Sequence, residues 1–472
     1  MSHKPSRPGS WEDSVKRIFY RQVLCCVGIL ASCPRPTSVL YQSCSHYSTL
    51  ITGPRQDNGT TMNSQRSQSK VELQDRGMSP LNNPKDWSWP FWAAVPLYPY
   101  GRRRTLRQEI VQDTIWTFDQ LHGILYTIVP IRMTIVKLSA GGLLVYAPVA
   151  PTTECVRLVN ELVAKHGEVK YILLPTSSGL EHKVFVGPFA RRFPQAQVFV
   201  APHQWSFPFN LPLSWLGFPQ KRTQELPENS SLAPFALEFD YAILDIDLGR
   251  GSFAEVAVFH KRSHTLLVTD SILSVPVDPP EILQLDPYPL LFHARDNASE
   301  TIEDNEDNRR KGWQRISLFA LYFRPSALEV ASIGQMFRDA LKAPQRSLKT
   351  YFGLFPFRWQ ETWKQAFDAL RGQGRPFVAP ILQILILPQA PSQVLNWADT
   401  VARWDFQQII PCHFDSLIKA NPRQFRQAFA FLEKNLSSSE SQLLLQEDLK
   451  FIQELEASLV KRGIATPAKE KS

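Results

Sequence analysis

Four polar side chains in this sequence stand just beyond the ends of short apolar runs. Glu181 and His182 follow Tyr171–Leu174, Asp270 follows Leu266–Thr269, and His413 follows Ile409–Pro411. Loops at strand ends converge on a crevice, and α/β proteins place their chemistry there. Two imidazoles and two carboxylates brought to one sheet edge make a metal site suited to zinc, iron or manganese. A cation would also give these charges a reason to be buried, since an unpartnered buried charge is costly. Taken singly, each residue has a plainer explanation: a histidine can cap a helix or bond a backbone carbonyl.

The elements that would hold these residues can be read from hydrophobic pattern. Tyr171–Leu174 has the length and composition of a buried strand. A polar turn over Pro175–Glu181 follows, then a segment ending in Arg191-Arg192, then a second strand at Gln197–Val200. Upstream, ILYTIVP, MTIVKL and GGLLVYAP are strand-like. Thr152–His166 reads as a helix, with Thr152 or Thr153 as cap, Cys155, Leu158, Val159 and Leu162 at helical spacing, and Gly167 at its end. Downstream, strands are expected at Phe239–Leu244, Glu255–Phe259 and Thr265–Thr269. A charged loop is expected over 297–311, then helices to about 371. The continuous run ILQILIL between Pro380 and Pro388 has the signature of a strand buried on both faces. A helix over Ser392–Trp404, a strand at Ile409-Ile410 and a helical hairpin over Arg423–Lys461 complete the pattern. WSFPFNLPLSWLGFP, from Trp205, is a wall over the crevice or a packed surface loop.

The chain of 472 residues is 43% hydrophobic and 20% charged, an ordinary soluble composition. The net charge of +8 suggests nucleic acid until it is located. Residues 1–77 hold ten Lys or Arg against five Asp or Glu, so five of the eight charges lie there. The rest is near neutral for its size, which argues against a nucleic-acid partner. No apolar run approaches the ~20 residues of a transmembrane helix. Residues 1–77 read as a disordered leader: a targeting segment, or residues upstream of a true start at Met62 or Met78. Cys25, Cys26, Cys33 and Cys44 lie in that leader without zinc-site spacing, and Cys155 and Cys412 alone make no disulfide framework. Residues 78–122 form an extended aromatic and basic arm. Its Trp87, Trp89, Trp92 and Arg102 either touch a membrane interface or pack on the domain with the arginines in water, and its prolines favour packing.

With these residues in view, the chain resembles the metallo-β-lactamase fold, an αββα sandwich. That family carries His-x-His-x-Asp-His after a strand, then a further His, a bridging Asp at a strand end and a last His. Here the window reads Ser177-Ser178-Gly179-Leu180-Glu181-His182, with Asp270 in LLVTDS and His413 in IIPCHFD as later matches. Ser177 and Gly179 replace the first two histidines, and LGRGS at 248–252 lacks the third. The resemblance therefore implies loss of the first metal site and retention of the second, as Glu181, His182, Asp270 and His413 holding one divalent ion. Phrases such as DTIWTFDQ and GLEHKVFVGPFARRFPQAQVFVAP are also similar to an uncharacterised domain family of photosynthetic organisms. That resemblance implies a cyanobacterial cytoplasm, or a plastid if the leader is a transit peptide.

The expected architecture is thus α/β: a metallo-β-lactamase-like domain over 123–415, with a helical insertion at about 297–375 and C-terminal helices over 416–472. Two functions follow. One is a mononuclear metal-dependent hydrolase of a small-molecule substrate, with Ser177 orienting water; Ser177 and Ser178 lack the elbow motif of a serine nucleophile. The other is a non-catalytic binding or assembly factor with a protein partner. Iron in the same pocket would instead suit a redox or oxygen-handling role.

Overall fold

A computed structural model describes residues 83–91, 97–177, 179–204, 212–249, 251–301, 303–433, 444–463 and 467–469. The leader, Trp92, the first part of the Trp205 loop and the middle of the terminal hairpin lie outside them.

Seven strands make the first sheet, in chain order: β1 (Leu106–Val111), β2 (Ile115–Ile124), β3 (Thr127–Lys137), β4 (Leu143–Tyr146), β5 (Val169–Leu174), β6 (Gln197–Val200) and β7 (Thr223–Glu225). The β1–β4 pairs are antiparallel hairpins and the β4–β7 pairs are parallel. The switch occurs where the helix Thr153–His166 supplies the first crossover. A second sheet runs β13 (Gln408–Pro411), β10 (Thr265–Val268), β9 (Ser252–His260), β8 (Phe239–Asp247), with only β10 and β13 parallel. β11 (Leu328–Val330) and β12 (Phe357–Trp359) form a separate ribbon.

Side-chain alternation assigns the layers. Successive residues of a strand point to opposite faces. In β4, Leu144 and Tyr146 enter a core shared with the second sheet, whereas Leu143 and Val145 face the helices. Leu173 and Phe199 join the same shared core from β5 and β6, and Val256, Val258 and Leu267 meet them from β9 and β10. Ala257, Phe259, Leu266 and Val268 turn outward beneath a second helical layer that includes Trp313 and Trp397. Helices cover the outer faces of both sheets, which is the αββα order implied by the resemblance. Both faces of the central strands are therefore apolar, and their sequences read as unbroken hydrophobic runs.

Local chemistry sets the helix ends. Thr152 accepts from Cys155 N to cap Thr153–His166, and Gly167 terminates it at φ 96°. Part of the expected charged loop is helical. Asn305 accepts from Asn308 N and starts the helix Glu306–Tyr322, while Arg309 and Lys311 pair with Asp304 and Asp296. The helical insertion holds that helix, Ile333–Ala340 and Trp363–Arg371, with the ribbon between them.

ILQILIL is helical, not a strand. Leu382–Ile386 forms a π-turn and Leu387–Gln389 a 3-10 turn. Leu382, Leu385 and Ile386 are buried while Gln383 and Ile384 are half-exposed, a spacing of three and four. A short run that is apolar at nearly every position cannot reveal which period it follows. The arm packs on the domain as its prolines favoured, but its arginines do not all stay in water. Trp89 is buried edge-on against Phe185 with ring centroids 5.3 Å apart, so it is not a membrane contact. Arg103 is fully buried and donates to Leu121 O at 2.8 Å, while Arg104 lies 4.1 Å over the Trp87 ring. Only Arg102 of the three is in water.

Two histidines are packed into this scaffold without charge. Burial, with Arg262 adding repulsion, holds His260 down to about 4, and burial pushes His293 down to about 3. In the unfolded chain both titrate near 6.5. Below that value the unfolded state takes up protons that the folded state refuses, so stability is full above about 6.5 and is lost as pH falls toward 4. Urea unfolding between about pH 7 and pH 5 is expected to show a loss of about 1 kcal/mol per histidine per pH unit below 6.5. His260→Phe should flatten that slope; a flat wild-type profile contradicts the assignment.

Candidate metal centre

β5, β10 and β13 end on one edge, and the predicted residues meet there. The turn after β5 closes into the π-helical segment Gly179–Lys183, which carries Glu181 and His182 into the helix Val184–Arg192. Asp270 follows β10 and His413 follows β13, which pair in parallel and so deliver both loops together. Ligand atoms of Glu181, Asp270 and His413 all lie within 4.8 Å of one another. His413 Nε2 sits 3.2 Å from Glu181 Oε2 and 3.1 Å from Asp270 Oδ1. His182 stands beside them rather than among them, its ring 6.3 Å from that of His413.

Both histidines are oriented in the same way. His182 Nδ1 donates to Pro148 O at 3.1 Å, and His413 Nδ1 donates to Pro130 O at 3.1 Å. A carbonyl can only accept, so each Nδ1 carries a proton, and the Nε2 of His413 is the atom that meets the two carboxylates. The Nε2 of His182 is buried and has no hydrogen-bond partner.

The charges are strongly coupled. Burial opposes protonation of His413, yet the Glu181 and Asp270 carboxylates raise its pKa well above the ordinary value. Burial acts to raise Glu181, and His413 overcomes it and holds the carboxyl below its usual range. His182 is lowered by burial and by repulsion from His413. Without a metal ion, the cluster is a protonated His413 clasped by two carboxylates beside a neutral His182.

Sequence reasoning missed the residues that hold these loops in place. Glu255, on β9, is fully buried. Its carboxylate accepts from Thr269 N and Oγ1 at 2.7 and 2.6 Å, Asp270 N at 2.9 Å, and Ser271 N and Oγ at 3.2 and 3.1 Å. Burial and the nearby Asp270 push it up to about 6. An acid inside the apolar strand AEVAVF was the available signal. Arg132 is likewise fully buried, on β3, and pairs with Asp119 through Nε–Oδ1 at 2.7 Å and Nη2–Oδ2 at 2.8 Å. Its Nη1 donates to Pro411 O and Asp415 O, both at 2.7 Å, and so clamps the His413 turn from both sides. His203 pairs with Asp245 at the same end of the sandwich, with its carbonyl held by Ser252 Oγ at 2.9 Å.

Ser177, expected to orient water, is engaged with the facing sheet. Its hydroxyl donates to Ser252 O at 2.8 Å and accepts from Ala254 N at 3.0 Å. The proton is spent on tying the β5 turn to β9. Ser178 lies outside the described residues.

Residues 112–431 match the family described as a domain of unknown function, DUF4336. The chain belongs to this family. No curated protein matches the chain. Among solved structures, this DUF4336 protein is similar to the metal-soaked Flv1 flavodiiron core from Synechocystis sp. PCC6803, at 11% identity and a TM-score of 0.32, over 69% of this chain and 60% of that one. It is also similar to a flavo di-iron protein from Thermotoga maritima, at 8% identity and 0.32, over 70% and 62%. A third is DIM-1 metallo-β-lactamase exposed to ceftazidime, at 13% and 0.28, over 46% and 83%. The DUF4336 chain thus spans about 60% of the length of the flavodiiron proteins it matches.

Arg132 provides the sharpest test of how the site is held. Breaking a buried, hydrogen-bonded ion pair by removing one partner costs about 3–5 kcal/mol, because the other charge is left buried alone. Arg132→Leu should lose that much in urea unfolding, and Arg132→Leu with Asp119→Leu together should lose clearly less. Equal losses would mean that the pair is not what stabilises the turn.

Proposed function

We propose that this DUF4336 protein is a mononuclear metal-dependent hydrolase, with Glu181, Asp270 and His413 holding one divalent ion and His182 as a further donor. The observation that carries the reading is the convergence of ligand atoms from Glu181, Asp270 and His413 within 4.8 Å of one another, supported by a buried, unpartnered Nε2 on His182, whose ring lies 6.3 Å from that of His413. Leaving such a nitrogen unsatisfied costs about 1–3 kcal/mol, which coordination would recover. Backbone carbonyls on the Nδ1 atoms supply the outer-shell support that ligating histidines need. Two carboxylates match the charge of a divalent ion, and mixed imidazole and carboxylate donors suit zinc, iron or manganese.

Such an ion acidifies water and polarises a carbonyl or phosphoryl oxygen. The chain's own residues do the rest. Glu255 fixes the backbone of Asp270, Arg132 fixes the His413 turn, and the partial exposure of Glu181 and Asp270 leaves one side open to substrate.

A second reading is favoured by Ser177, whose side chain serves the framework where the metallo-β-lactamase motif has a ligand. In it the protein keeps the fold as a binding or assembly factor and has no chemistry.

Elemental analysis of protein purified without a histidine tag separates the two. About one equivalent of metal is expected in wild type, falling by about tenfold in His182→Ala plus His413→Ala, with the loss of one of the three converging ligands and of the proposed further donor. A metal-free wild type sinks the hydrolase. Bound metal with no chelator-sensitive turnover of p-nitrophenyl acetate or bis(p-nitrophenyl) phosphate favours the binding factor.

A further inference from the structure

The helical insertion exposes an apolar surface unrelated to the metal centre. On the helix Ile333–Ala340 and the turn after it, Phe337, Leu341, Leu348 and Phe352 are each between 60% and 74% exposed. Four large apolar side chains within sixteen residues is more than scattered surface hydrophobicity explains. Phe337 and Leu341 are four apart, so they share one helix face.

Each of three apolar tips is followed directly by a base: Phe337-Arg338, Leu341-Lys342 and Leu348-Lys349, with Arg346 between the last two. Residues 333–353 contain four bases and one acid. That acid, Asp339, pairs with Arg358 at 3.0 Å. Among the described residues, Arg338, Lys342, Arg346 and Lys349 are all exposed and none is in an ion pair. Asp339 also feels Lys342, and Lys349 lies 4.0 Å over the Tyr288 ring, so the face keeps a net positive charge.

The backbone holds these side chains outward from a firm base. Gly353 packs against Ala340 and Ala343, which joins the turn to the helix. Tyr351 packs on Tyr126 and Phe292, with ring centroids 5.2 and 5.6 Å away. Tyr351 and Phe352 both adopt the left-handed region, at φ 49° and 56°. Bulky L-residues rarely do so, and strain of this kind concentrates at binding sites. Here it leaves Tyr351 packed inward and Phe352 in water.

We propose that this face docks on an anionic lipid surface. Phe337, Leu341, Leu348 and Phe352 enter the boundary between headgroups and acyl chains, and Arg338, Lys342, Arg346 and Lys349 meet the lipid phosphates. A protein partner would be expected to cover a charge-depleted apolar centre with a polar rim. Interleaved apolar and basic residues instead match the headgroup layer, where Lys and Arg stems lie along apolar surface and their charges reach phosphate. No helix among the described residues is long and apolar enough to cross a membrane, so the contact is with the surface.

The test is co-sedimentation of the full chain with vesicles of phosphatidylcholine alone or with about a quarter phosphatidylglycerol, enough to give a negative surface. Residues 1–77 are basic, so the deciding comparison is between wild type and variants of the patch. Phe337→Ser plus Leu341→Ser, and separately Lys342→Glu plus Arg346→Glu, should each lower binding to anionic vesicles by about tenfold while unfolding transitions stay unchanged, as expected for exposed positions. Binding of wild type should weaken with salt. Equal sedimentation of wild type and variants overturns the proposal. So does a dimer that the same substitutions dissolve in the absence of any vesicle binding, which would make the patch a contact with a second copy.

Discussion

Glu181 and Asp270 are two carboxylates held against one imidazole nitrogen at a partly exposed edge. Two like charges so placed repel strongly, and more so away from bulk water, unless a positive charge lies between them. The local structure is organised to satisfy that demand. β10 and β13 run in parallel so that their loops emerge side by side. The π-helical segment Gly179–Lys183 brings Glu181 in from the other sheet. Pro130 O then fixes the ring of His413 so that Nε2, not Nδ1, faces both carboxylates.

The loops are not held by their own sequences. Five hydrogen bonds to Glu255 set the Asp270 turn, and Arg132 grips the His413 turn on both sides while Asp119 neutralises it. These anchors come from β9, β2 and β3, and the shared core fixes their registers. The site is therefore precise only when both sheets are assembled. Removing the framework charges would disturb Asp270 and His413 by loosening the backbone that carries them.

This explains what the sequence made legible and what it did not. Strand ends could be found because central strands buried on both faces are nearly unbroken apolar runs, and Glu181, His182, Asp270 and His413 interrupt them at their ends. Asp119, Arg132 and Glu255 lie inside strands, where one chain position says nothing about partners as distant as Asp415. Ser177 looked free because its partners, Ser252 and Ala254, belong to the facing sheet. ILQILIL failed for the opposite reason: it is so uniformly apolar that helix and strand write it the same way.

The two site histidines show how much the surroundings decide. Both are buried, and both donate Nδ1–H to the carbonyl of a proline. Burial alone would neutralise each of them. His413 escapes because two carboxylates stabilise its charge, and that charge then helps keep His182 neutral. One imidazole is thus committed to a proton and the other offers a lone pair, with no difference in tautomer between them. A divalent ion held by Glu181, Asp270 and His413 would take over the role of the proton on His413. The Nε2 lone pair of His413 would then be available without any change in the hydrogen bond that orients its ring.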